Sequence, residues 1–185
     1  MDSNYHSAMN LFVEKSVEAG IDAKIEKIDT AKKNAYAEIY GDELAEEMAT
    51  YGVLARCNID GLAGVIRIYN LETIIANQEA YKTPDDDKKL IADRDPDPIY
   101  IDRDGRVLSA THGKKGWCFK EVSKSLPCFY RELAIYIDFY YLRVNKKVYN
   151  SDWEFVPKKR KLFFSMLQSE VSEPEAENFF NFIHY

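Results

Sequence analysis

The sequence predicts an α+β fold, helices packed against a sheet, and three stretches carry that expectation. In VIRIYNLETIIANQEAY a β-branched run, Val65, Ile66, Ile68 and Tyr69, enters a helix with no loop between them. PIYIDRDGRVLSATHG has the pattern of an antiparallel hairpin, 99–102 against 106–109, closed around Asp104-Gly105 where a tight turn needs positive φ. SLPCFYRELAIYIDFYYLRV repeats Leu126, Phe129, Leu133, Ile137, Tyr140 and Val144 at helical spacing, which makes it the main core helix.

Taken in chain order, Met9, Phe12, Val13 and Val17 share one face of an amphipathic helix stopped by Gly20. A helical region over 29–51 carries two stripes. Ile28, Ala31, Ala35 and Ile39 form the first, and Leu44, Met48 and Tyr51 the second. Gly41-Asp42 supplies a stop and a fresh N-cap between them, and Gly52 ends the pair. YGVLARCNIDGLAG is a glycine-spaced approach to the strand over 65–69, after which Asn70 caps a short helix whose Leu71, Ile74 and Ile75 pack back on the sheet. Two Asp-Pro pairs and a triple aspartate give 83–98 the profile of an exposed loop, the longest in the chain. A further strand is expected over 117–122, then the core helix with Ser125 as cap and Pro127 in its first turn. Near the end, Ser172 and Glu175 have capping-box spacing ahead of Phe179, Phe180 and Ile183.

A chain of 185 residues with 46% apolar content suffices for one well-buried core, so one domain is expected. Its longest apolar run, within AIYIDFYYL, is broken by Asp138 and falls short of the roughly 20 residues of a membrane span. The opening MDSNYHSAMN has neither a basic region nor an apolar stretch suited to a signal peptide, and a cytoplasmic location is expected. Cys57, Cys118 and Cys128 are odd in number and lack CxxC spacing, which disfavours a disulfide framework or zinc site and favours buried reduced thiols. With 31 acidic against 25 basic side chains the net charge is -6, which repels phosphate backbones and suits a basic protein partner. Neither nucleic acid nor membrane is an expected partner.

Each chemical motif has a plainer reading. DRDG at Asp102 and Asp104 starts like a calcium loop, but Gly113 stands where the bidentate Glu belongs, so it is read as a turn. His6, His112 and His184 have no ligand at helical spacing, and Cys118 or Cys128 with His112 has no orienting third group. Gly61 and Gly64 precede a strand and relieve backbone strain; they do not open a phosphate-binding helix. The basic run over 158–161 is read as a solvated helix face. No catalytic, cofactor or metal residue is assigned. A negative patch of Asp85, Asp86, Asp87, Asp93, Asp95 and Asp97, continued at the hairpin by Asp102 and Asp104, is the expected partner-binding surface.

In its order of motifs the chain resembles the SUKH superfamily. A helix like GDELAEEMATYG ends in a glycine-rich corner, an RIY-like strand runs into a helix with an Asn-x-x-Tyr-like ending, matched by Asn77 and Tyr81 with one residue extra, and a hairpin precedes a late helix. The likeness covers 28–144. The aspartate- and proline-rich segment stands where that family has a glycine- and aspartate-rich strand pair, and 146–185 has no counterpart. The resemblance implies an α+β domain over 1–145, a mostly antiparallel sheet packed against helices, with 146–185 as a helical extension packed on it. It also implies a non-enzymatic, protein-binding role, most often as a bacterial immunity protein that neutralises a cognate toxin, frequently a nuclease. A monomer or weak dimer is expected. The alternative is an enzyme or small-ligand protein with a pocket between the sheet and the 126–144 helix; a third possibility is self-assembly through the aromatic tail over 153–185.

Overall fold

The structure, a computed structural model, describes residues 4–83, 87–113 and 116–184. Helix α1 (Asn4–Glu18) comes first, then the two-residue strand β1 (Ile25–Glu26) and the helix pair α2 (Thr30–Tyr40) and α3 (Asp42–Tyr51). Asp29 caps α2 by accepting from the Lys32 amide, whereas Gly41 serves both as the end of α2 and as the cap position of α3, so Asp42 lies inside the first turn of α3 and does not cap it. Strand β2 (Val53–Leu54) pairs with β1.

The main sheet is a six-stranded antiparallel meander in sequence order: β3 (Cys57–Gly61), β4 (Gly64–Ile68), β5 (Lys89–Arg94), β6 (Asp97–Ile101), β7 (Val107–Gly113) and β8 (Gly116–Ser123). The glycine-spaced approach is therefore itself a strand. Its closing pair is Gly61 and Gly64, and a Cβ on Gly61 would stand 2.3 Å from the Gly64 carbonyl oxygen. Between β4 and β5 lies α4 (Leu71–Gln78), capped by Asn70, which accepts from the Thr73 amide at 3.1 Å. The hairpin over 99–109 has the expected register, with Ile99 opposite Ser109 and Ile101 opposite Val107.

The expectation of an exposed loop over 83–98 is overturned. Most of that segment is the β5–β6 hairpin, with Arg94 opposite Asp97 and a cis Asp95-Pro96 peptide in its turn. Asp93, Arg94 and Pro98 are buried. The charge that argued against a strand has partners across the sheet. Arg67 Nη1 donates to Asp93 Oδ1 at 2.9 Å, and the Tyr69 hydroxyl donates to Asp93 Oδ2 at 2.5 Å.

Helix α5 (Leu126–Ile137) is capped by Ser125, as its sequence requires, and continues as a π-helical segment (Asp138–Arg143). The wider turn, marked by the Val144 amide on the Phe139 carbonyl, sets the Phe139 ring 4.7 Å from that of Phe163. Phe163 belongs to α6 (Pro157–Gln168), which leads to α7 (Glu173–His184), where the Ser172–Glu175 box forms with the Ser172 hydroxyl 2.6 Å from the carboxylate.

One hydrophobic cluster joins Met9 and Phe12 of α1, Phe129, Leu133 and Ile137 of α5, Phe163 of α6 and Phe179 of α7 to Ile59, Ile66 and Ile99 of the sheet. The opposite face is covered as well. Tyr100 is fully buried there, its hydroxyl donating to the Tyr81 carbonyl at 2.7 Å and its ring edge-on to Trp117 and Phe119. No helix among the described residues is long and apolar enough to cross a membrane.

Candidate protein-docking surface

The eight aspartates expected to form one patch are divided by the fold. Asp85 and Asp86 lie outside the described residues. Asp93 is buried and committed to Arg67 and Tyr69, and Asp95, though exposed, also faces Arg67, at 3.1 Å. Asp97 lies under α7, 3.6 Å from Arg94 Nη2. Asp102 is buried in the β6–β7 turn, where Oδ1 accepts from the Asp104 and Arg106 amides at 3.0 and 2.9 Å and Oδ2 accepts from Arg106 Nε at 3.0 Å. Asp104 pairs with the same arginine at 3.1 Å. These bonds are those of an Asx-type turn. Among the described residues no group of three His, Cys, Asp or Glu side chains is placed to hold a metal ion.

Asp87 and Asp102 do meet, in a recess of about 590 Å³ between the α2–α3 corner, the β6–β7 turn and the start of α5. Ile39, Leu44, Ile101, Leu126 and Pro127 give it an apolar lining. Two further carboxylates, Glu43 and Glu47 of α3, complete the acidic side, opposite Lys89 and Arg103. Asp87 is engaged by Lys88 at 2.8 Å, which holds its carboxyl below the usual range, and by Arg103 at 3.5 Å. Glu43 and Glu47 differ. They stand four residues apart on one helical face, no cation pairs with either among the described residues, and partial burial together with the charge of Glu43 pushes the Glu47 carboxyl up. Neither glutamate figured in the expected patch. Their signal was the i, i+4 acidic pair in DELAEE, next to a helix stop that turns the pair toward the sheet.

Two other concave regions of similar or greater volume lie elsewhere on the described residues. A groove of about 840 Å³ between the end of α1, β3 and the π-helical segment is lined by Asp22, Arg56, Asp60, Tyr141 and Lys146, with Lys146 on Asp60 at 2.7 Å and the Tyr141 hydroxyl accepting from the Asp60 amide at 2.9 Å. A cleft of about 580 Å³ lies between the sheet and α7. Of the pocket that the alternative reading places between the sheet and the 126–144 helix, the groove between β3 and the π-helical segment is the counterpart, while aromatic side chains of α5 fill the space beneath the rest of that helix. The thiols also divide: Cys57 and Cys128 are buried as expected, and Cys118 is exposed. Burial pushes the Cys57 thiol up to about 12. His6 of α1 stacks on Tyr51 of α3 and His184 on Phe180 of its own helix, and the His112 side chain lies outside the described residues.

Comparison of the chain with protein-family models, curated proteins and solved structures yields no match.

Proposed function

We propose that this chain is a non-enzymatic protein-binding module that seats a cationic segment of a protein partner in the acidic recess beside α3. The observation that carries this reading is the Glu43–Glu47 pair: two like charges over an apolar floor, with partial burial and the charge of Glu43 raising the cost of ionising Glu47, and no cation of the described residues paired with either. Such an arrangement is relieved when a partner supplies a lysine or arginine, and the apolar lining suits the stem of that side chain.

The resemblance to the SUKH superfamily supplies the partner class, a basic toxin domain such as a nuclease, neutralised in the cytoplasm when the bound module covers its active site. Two features support the likeness. The helix ending at Gly52 runs into the β3–β4 strand pair, and a strand pair, β5–β6, occupies the place where that family has one.

The test is co-expression with toxin domains encoded beside the gene, pull-down, and stopped-flow association. A stable complex is expected, with an association rate that falls as salt rises and that drops about tenfold or more in Glu43→Lys/Glu47→Lys. A complex indifferent to salt and to both reversals, or no complex with any neighbour-encoded domain, overturns the proposal.

A further inference from the structure

The cleft under α7 shares no lining residue with the acidic recess. There Arg94, only 8% exposed, comes off the end of β5. Its Nη1 donates to the Phe182 carbonyl of α7, and its guanidinium lies 5.1 Å from the centre of the Phe182 ring. The other edge is only loosely engaged, by Asp97. Nε is buried with no hydrogen-bond partner, and Nη2 stands 3.6 Å from Asp97 Oδ2, beyond hydrogen-bond length. A buried arginine with its Nε–H unmet carries a desolvation cost that an incoming acceptor would offset, and the Nε–Nη2 edge is the fork that matches two oxygens of one oxyanion. The rest of the lining adds donors, Thr111 and Lys120 from the strands and Asn178 and Asn181 from α7, beside two carboxylates, Asp97 and Glu121. The volume, about 580 Å³, is that of a small-molecule site.

We infer that the cleft between the β5–β8 face and α7 binds a small organic or inorganic oxyanion, a phosphate or a carboxylate, on the Nε–Nη2 edge of Arg94 with Lys120, Asn178 and Asn181 around it. Cys118, exposed and part of the same lining, reports on occupancy, since Cys57 and Cys128 are buried. The test uses the full chain, with inorganic phosphate and succinate as separate probes and chloride at matched ionic strength as control. The measurements are the rate of Cys118 alkylation by iodoacetamide and the amide shifts of Lys120 and Asn181.

Saturable protection of Cys118 by phosphate identifies a phosphate site, and protection by succinate alone a carboxylate site. In either case Lys120→Ala, a change at an exposed position, weakens binding about tenfold. Arg94→Met removes saturation; if that variant does not fold, Asn181→Asp, which sets a carboxylate facing the anion, takes its place and is expected to abolish protection. Protection that rises linearly and equally with chloride, or shifts unchanged by Lys120→Ala and Asn181→Asp, overturns the inference. Because the readout needs no protein partner, its failure leaves the docking proposal standing, and the reverse also holds.

Discussion

Glu132 shows how much a single side chain can hold in reserve. It lies on α5, 1% exposed, and neither carboxylate oxygen has a hydrogen-bond partner among the described residues; the nearby Ser123 hydroxyl donates to the Ser125 carbonyl at 3.3 Å. Burial pushes its carboxyl up to about 8, with the charge of Glu175 adding to the effect and Lys124 opposing it. The folded protein therefore holds a proton there that the unfolded chain releases near pH 4.5. Stability from this group is complete below that pH and is lost as pH rises through about 8. The loss is on the order of 4 kcal/mol at the upper limit. Glu132→Gln keeps the neutral shape and removes the titration. Urea unfolding at pH 5 and pH 8 should show wild type losing stability across the interval and the variant losing less, so that the variant is the more stable at pH 8. Parallel curves would show that the carboxylate is solvated in the native state. Asp93 solves the same problem differently: it takes Arg67 and Tyr69 as partners, and burial of its charge is compensated on the spot.

At the level of elements, caps and periodicity made the helices and the 99–109 hairpin legible, since those signals are local: Asn70 and Ser125 each accept the amide their spacing assigns. The Asp29 cap was not read, and the cap assigned to Asp42 falls to Gly41. Most of what else was not legible depended on partners distant in sequence. The β5–β6 hairpin reads as a loop because aspartate and proline favour turns, yet Asp93 is held by β4 and by Tyr69 just beyond it, and Pro98 sits opposite Asp93. The candidate site follows the same rule. Asp87 and Asp102 were visible as acidic residues near turns, but the recess exists only because the α2–α3 corner is brought against the β6–β7 turn, which adds Glu43 and Glu47. The tail makes the point most strongly. Phe179 and Phe182 pack edge-on against Phe129 of α5, and Phe163 stacks on Phe139, all five contributing to the one core. Removing 146–185 would uncover several of these rings, at about 1.5–3 kcal/mol for each large side chain re-exposed. A 1–145 fragment is expected to bind a hydrophobic dye and to lose cooperative urea unfolding, whereas a fragment that unfolds with a sharp transition would show that the extension is dispensable.

For the molecule as a whole, the acidic surface and the meander set different properties. The net charge of -6 makes the surface self-repelling on average. The order of the strands bears on how the chain reaches its native state. Every strand of the large sheet pairs with its neighbour in sequence, so the sheet is able to grow by short loop closures. Helix α1 has no such route: its Tyr5 and Phe12 meet Tyr130, and Asn4 and Ser7 accept from Arg131, from the far side of the sheet's sequence. Its docking closes the longest loop in the structure and belongs after the folding barrier. Met9→Ala, at a fully buried site, should cost about 2–5 kcal/mol and appear almost wholly as faster unfolding in a stopped-flow chevron, with the refolding limb unmoved. Helix α1, made before the sheet, would then wait for its seat until α5 has been synthesised.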